Sequence, residues 1–167
     1  MSASATNHQL LCHFMVEKVI NNGELELLDL LMAPDAINHD LEIFGPAAAS
    51  GPEVVRQFVR TFRYAFPDLR VTVIDQIGDG DRVATRWKME GTQKKRLMGI
   101  EASHRSISIE GIRIDRIANG RIAETWNCWD TLAMLRQLGA APPLERQPAV
   151  DAAVVAPPVA SYASAAA

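Results

Sequence analysis

Asn119-Gly120, set between two long runs rich in isoleucine, is the feature that most constrains this chain. Both central residues of a type I′ turn need positive φ, so an Asn-Gly pair between apolar runs specifies a tight hairpin. Ser106–Ile117 and Arg121–Trp129 are therefore expected as two long antiparallel strands. Side chains alternate along a strand, so Ile122, Glu124, Trp126, Cys128 and Asp130 share one face if no bulge intervenes. If that face lines a cavity, Asp130 is the leading acid/base candidate, because burial beside Trp126, Cys128 and Trp129 would raise its pKa. Aspartate is also a preferred helix cap, and Asp130 through Gly139 reads as a short capped helix.

The segments before the hairpin supply helices and further strands. Leu10, Leu11, Phe14, Met15, Val19 and Ile20 recur at helical spacing until Asn21-Asn22-Gly23 stops them. A short helix over 24–32 is broken by Pro34, and Ala36–Asp40 reads as a brief extended segment. Residues 45–52, rich in Gly, Pro and Ala, are expected as a loop and the most lid-like piece. Pro52 opens a third helix in which Val54, Phe58, Phe62 and Phe66 step by four, the stripe of a helix packed on a sheet. Leu69–Ile77 and Arg82–Gly91 alternate as strands around Gly78–Asp81. Val83, Thr85, Trp87 and Met89 take one face, and Arg82, Ala84, Arg86 and Lys88 the other. Residues 93–105 are irregular. In the Ser106 strand the apolar phase moves from Ile107 and Ile109 to Ile112 and Ile114, and Gly111 at the shift predicts a β-bulge.

Helices followed by a run of antiparallel strands give an α+β fold, with one domain over residues 1–139. Residues 140–167, rich in Ala, Pro and Val, read as a disordered tail. A net charge of −3, with Lys94-Lys95-Arg96 as the only basic cluster, argues against nucleic acid as a partner. No apolar run approaches the roughly 20 residues of a membrane span, and no signal peptide is legible, so the expected location is cytoplasmic. Cys12 and Cys128 lack a paired spacing and are expected as two reduced, buried thiols. Asn38-His39-Asp40 offers possible metal ligands, but no second ligand pair supports them, and no metal is expected. Phosphate-loop and serine-nucleophile motifs are missing. His39 could hydrogen-bond a carbonyl or enolate oxygen, or simply be satisfied by local backbone. His104 is a second such candidate, and His8 and His13 read as structural.

Several motifs together carry a resemblance. They are Leu31-Met32-Ala33-Pro34-Asp35 with Asn38-His39, Ala65-Phe66-Pro67-Asp68-Leu69, Gly80-Asp81-Arg82-Val83, Met98-Gly99-Ile100, and the closing hairpin with Glu124, Trp126 and Asp130. From about Leu10 to Gly139 the chain resembles the SnoaL-like polyketide cyclases of the nuclear-transport-factor-2-like superfamily. The resemblance implies a cone-shaped, curved antiparallel sheet around N-terminal helices, with a pocket at the open end. It also implies a homodimer or homotetramer through the outer sheet face. The activity implied is an intramolecular aldol condensation of a polyketide-like small molecule, without metal or cofactor. Asp130 takes the place of the family's acid/base aspartate and His39 that of a pocket histidine, and His104 lies near a second polar position. Trp87, Met98, Ile112, Ile114, Trp126 and Phe62 would wall the pocket. Gly91-Thr92-Gln93-Lys94-Lys95 departs from the Gly-Thr-His-x-Gly pattern of many relatives. The family also holds hydroxylation-associated proteins, so oxygen insertion and a non-catalytic binding module are the alternatives.

Overall fold

The computed structural model of the chain describes residues 3–40 and 50–142. Most of the expected loop over 45–52, and the tail beyond 142, lie outside the described residues. Five strands form one curved, unclosed sheet in the order β1-β5-β4-β3-β2. They are β1 (Met32–Asn38), β2 (Arg70–Asp79), β3 (Arg82–Thr92), β4 (Ser106–Ala118) and β5 (Arg121–Trp129). β1 lies parallel to β5, and every other pair is antiparallel. Asn119 and Gly120 adopt the left-handed φ values of 52° and 72° that the β4–β5 turn requires.

Helices α1 (Ala3–Phe14), α2 (Leu28–Leu31) and α3 (Gly51–Ala65) cover the concave face, and α4 (Thr131–Leu138) closes one end. α1 runs directly into a π-helical stretch, Met15–Asn21, where the spacing predicted ordinary helix. Asn21 ends that stretch and caps the sheet edge. Its amide donates to the Val71 carbonyl at 2.8 Å, and its oxygen accepts from the Val71 N–H at 2.7 Å. Phe58, Phe62 and Phe66 stack along α3, with adjacent centroids 4.4 and 6.2 Å apart.

The core divides into two apolar clusters. One joins α1, α2 and the start of α3 to Val83, Ile117 and Ile122. The other gathers Phe62, Phe66, Met89, Leu97, Ile107, Ile109, Met134 and Leu138. Between them the inner face of the sheet is polar, and Ile20 and Phe58 pack against both clusters.

Two strand expectations are corrected. Pairing of β3 with β4 runs without a break through Trp87↔Gly111, so Gly111 makes no bulge. Alternation continues across it: Ile107, Ile109, Gly111, Arg113, Asp115 and Ile117 face inward, while Ile112 and Ile114 point out. The bulge lies in β5 instead. Ile117 pairs with Ile122 but Arg116 pairs with Glu124, leaving Ala123 as the extra residue. Ile122 therefore enters the core, whereas Glu124, Trp126 and Cys128 turn outward, and Thr125, Asn127 and Trp129 turn inward. Cys128 is accordingly exposed, while Cys12 is buried.

Candidate active site

Strand register builds the site as adjacent rows across the concave face. Asn38, Thr125 and Asp115 form one row, from β1, β5 and β4. Asn127, Arg113 and Thr85 form the next, and Trp129, Gly111 and Trp87 the third. Asp40, two residues beyond Asn38, closes the polar patch. α1, the π-helical stretch and α3 lay Cys12, Val16, Ile20, Val55 and Phe58 over these rows. They enclose a cavity of about 830 Å³ counted to its open mouth. Its lining is mostly apolar with a few convergent polar groups, the pattern of small-molecule sites.

Arg113 and Asp115 make the most buried charge pair of the molecule's described residues, with side chains 14% and 2% exposed. Arg113 Nε donates to both carboxylate oxygens, at 2.8 and 2.9 Å. Thr125 Oγ1 donates to Asp115 Oδ1 at 2.7 Å. Burial works most strongly against the Arg113 charge, but Asp115, with Cys12 and Asp40, together outweigh it and hold the guanidinium pKa up. The Cys12 thiol packs against the same carboxylate. Burial first, then the Asp115 charge, push it up, so it stays a neutral thiol.

Asn38 and Asp40 differ from this pair. Asn38 is 4% exposed, and its amide nitrogen Nδ2 has no hydrogen-bond partner among the described residues. Asp40 Oδ1 is likewise buried without one. Buried polar atoms are ordinarily paired, so these two, without partners among the described residues, make this wall the candidate ligand-binding surface. Burial raises the Asp40 carboxyl. Hydrogen bonding from Asn127 and the Arg113 charge pull it partly back. A carboxyl moved toward neutrality can both take and return a proton.

The residues singled out from sequence fall mostly elsewhere, and their expected placement in the pocket is corrected as follows. Asp130 is exposed, and its Oδ1 accepts from the Ala133 N–H at 2.8 Å as the cap of α4. His39 points out, stacked on Trp126 at 4.9 Å with its Nε2 2.9 Å from Glu124 Oε1. Arg116 Nε meets the other Glu124 oxygen at 2.8 Å, and Arg82 lies over the Trp126 ring at 5.3 Å. His104 and Met98 sit exposed on the 93–105 loop at φ 56° and 48°. Ile112 and Ile114 stand on the outer face, 52% and 37% exposed. Phe62 is fully buried behind the wall, edge-on to Trp129 at 5.8 Å. Trp87 does line the cavity.

The residues missed, Arg113, Asp115, Thr125 and Asn127, were hidden by their own alternation. Polar residues between isoleucines read as a solvated face unless the opposite face is known to be outside. Carrying the Ile107–Ile109 phase straight through Gly111 would have found Arg113 and Asp115. Among the described residues, no group of three or more His, Cys, Asp or Glu is placed to hold a metal ion. No described helix is long and apolar enough to cross a membrane.

Solved structures resemble the chain over most of its length. TsrD from Streptomyces laurentii is 29% identical, with a TM-score of 0.73, covering 84% of this chain and 99% of its own. IdmH from Streptomyces antibioticus, assigned to the polyketide cyclases, is 32% identical with a TM-score of 0.69, covering 79% and 98%. AclR from Streptomyces galilaeus, assigned as a hydroxylase, shares the fold at 21% identity and a TM-score of 0.70, covering 83% and 99%. No curated protein matches the chain. The family profile of SnoaL-like polyketide cyclases matches residues 10–138. The chain belongs to the SnoaL-like polyketide cyclase family.

Proposed function

We propose that this protein closes a ring in a polyketide-like carbonyl compound by an intramolecular aldol reaction, with Asp40 rather than Asp130 as the acid/base. The observation that carries this reading is the pair of buried atoms on the cavity wall without partners among the described residues, Asn38 Nδ2 as donor and Asp40 Oδ1 as acceptor. The Asp40 carboxylate removes an α-proton, and the enolate oxygen settles on the Asn38 amide, a buried donor on the same wall. Arg113, held by Asp115 and Thr125, adds positive charge to the same wall. The enolate carbon attacks a second carbonyl of the same molecule, forming the C–C bond. The resulting alkoxide takes its proton back from Asp40, so no atom is gained or lost. Trp87, Trp129 and Phe58 offer flat apolar walls for the ring system.

A second copy of the chain would pack on the outer sheet face, where Ile112 and Ile114 stand exposed beside the charged rows. The catalytic reading is tested by incubating wild type, Asp40→Asn and Asp130→Asn with aromatic polyketide esters and weighing the products. The expected result is an isomer of unchanged mass. Turnover should fall on the order of 10²–10⁴-fold in Asp40→Asn and stay near wild type in Asp130→Asn, where asparagine still caps the helix. A product one oxygen heavier, or full activity in Asp40→Asn, overturns it.

A further inference from the structure

Trp87 and Gly111 occupy paired positions on β3 and β4, side by side on the inner face. A Cβ built on Gly111 would stand 2.3 Å from Trp87 Cζ2, far inside contact distance. Only glycine at 111 lets the indole lie flat over its neighbour strand. In that seat Trp87 Nε1 reaches Asn127 Oδ1 at 3.2 Å. An indole N–H donates and never accepts, so Asn127 must turn its oxygen to Trp87 and keep its NH2 group for another partner. Asn127 and Asp40 each lie two residues past the parallel pair Asn38↔Thr125, so the register of β1 on β5 sets them side by side on the cavity wall. Hydrogen bonding from Asn127 is what pulls the buried Asp40 carboxyl back toward ionisation.

We propose that Trp87 and Asn127 are positioning residues for Asp40. The indole N–H, seated by Gly111, fixes the Asn127 amide in the one orientation that presents its NH2 to the carboxylate. Without the indole the amide is free to rotate and set its oxygen against the carboxylate, which opposes ionisation. The other groups bearing on Asp40 are unchanged by this. Arg113 and Asp115 face it from β4 and the Cys12 thiol from α1, while α3 contributes only Val55 and Phe58. On its own strand His39 points away, toward Glu124. The catalytic consequence rests on Asp40 being the reacting group; the orientation itself does not.

The test is a carboxyl-carbon NMR titration of the whole chain, with Asp40→Asn identifying the Asp40 signal. Trp87→Phe keeps the ring and removes the N–H, and Asn127→Leu removes the amide. In both, the Asp40 midpoint is expected to move to higher pH while the other carboxyl signals stay put. A merely structural tryptophan would lower stability without moving that midpoint. A wild-type midpoint in either folded variant overturns the proposal, and if Asn127→Leu does not fold, Trp87→Phe decides alone. If the midpoints move but Asp40→Asn turns over substrate normally, the relay stands and the cyclase reading falls.

Discussion

The two faces of the sheet at β1 and β5 are built from neighbouring residues yet handle their polar groups in opposite ways. On the outside, His39, Glu124, Arg116, Arg82 and Trp126 satisfy one another through a hydrogen bond, an ion pair and stacked rings. On the inside, one residue away at each end, Asn38 and Asp40 line a cavity with a donor and an acceptor that have no partner among the described residues. The residue types alone would have favoured the outer cluster as a site, since it holds a histidine, a glutamate, two arginines and an indole. Saturation of its bonds marks it as surface structure. An unsatisfied buried group is the better pointer, because desolvation is costly unless a ligand repays it.

The largest effect that separates the faces is expected at their arginines. Arg113→Met leaves Asp115 buried and unpaired, and should cost about 3–5 kcal/mol in urea denaturation. Arg116→Met breaks a pair near solvent, where screening leaves little to lose, and should cost far less. Equal losses would mean the inner pair is no more desolvated than the outer one.

A smaller effect concerns Asp40 and pH. Its carboxyl is raised by burial, so its contribution to stability is complete below the ordinary aspartate range. That contribution is lost as pH rises through the raised native midpoint. Asp40→Asn cannot ionise, so it should melt like wild type at low pH and at a higher temperature than wild type near pH 8. A melting difference that is constant across pH would show that Asp40 is solvated like an outer-face acid. Glu124 has the opposite sign. Arg116 first, and then His39, hold it below the usual carboxylate range, so its stabilisation is lost as pH falls through that lowered value.

The smallest effect on stability is expected at Ile112. Ile112→Glu should change unfolding free energy by no more than about 0.5 kcal/mol, because the side chain is already half in water. In sedimentation velocity it should abolish the self-association proposed for the outer face. A large stability loss in a monomer at all concentrations would contradict the outward placement as a free surface.

Much of the architecture was legible because local rules set it. Asn119-Gly120 specified the hairpin, Gly139 and Asp130 the ends of α4, and the four-residue step of Val54, Phe58 and Phe62 the buried stripe of α3. The alternation of Val83, Thr85, Trp87 and Met89 gave the inner face of β3 correctly. The site was less legible because one extra residue, Ala123, reverses the facing of everything after it. Trp126, Cys128 and Asp130 carry the chemistry-bearing names, but the bulge sends Thr125, Asn127 and Trp129 inward in their place.

By itself, then, the sequence determined which segments are helices and strands, where they turn, and the family to which the chain belongs. Each of these is written in short-range propensity and pattern. Only the tertiary structure decided which face of β4 and β5 meets the helices, since period-two alternation is silent about which side is inside. It also decided that Asp40 is half-buried with one carboxylate oxygen out of solvent, and that Asp130 is solvated. Two aspartates of identical intrinsic chemistry are told apart by desolvation and partners, which come from packing between segments distant in the chain.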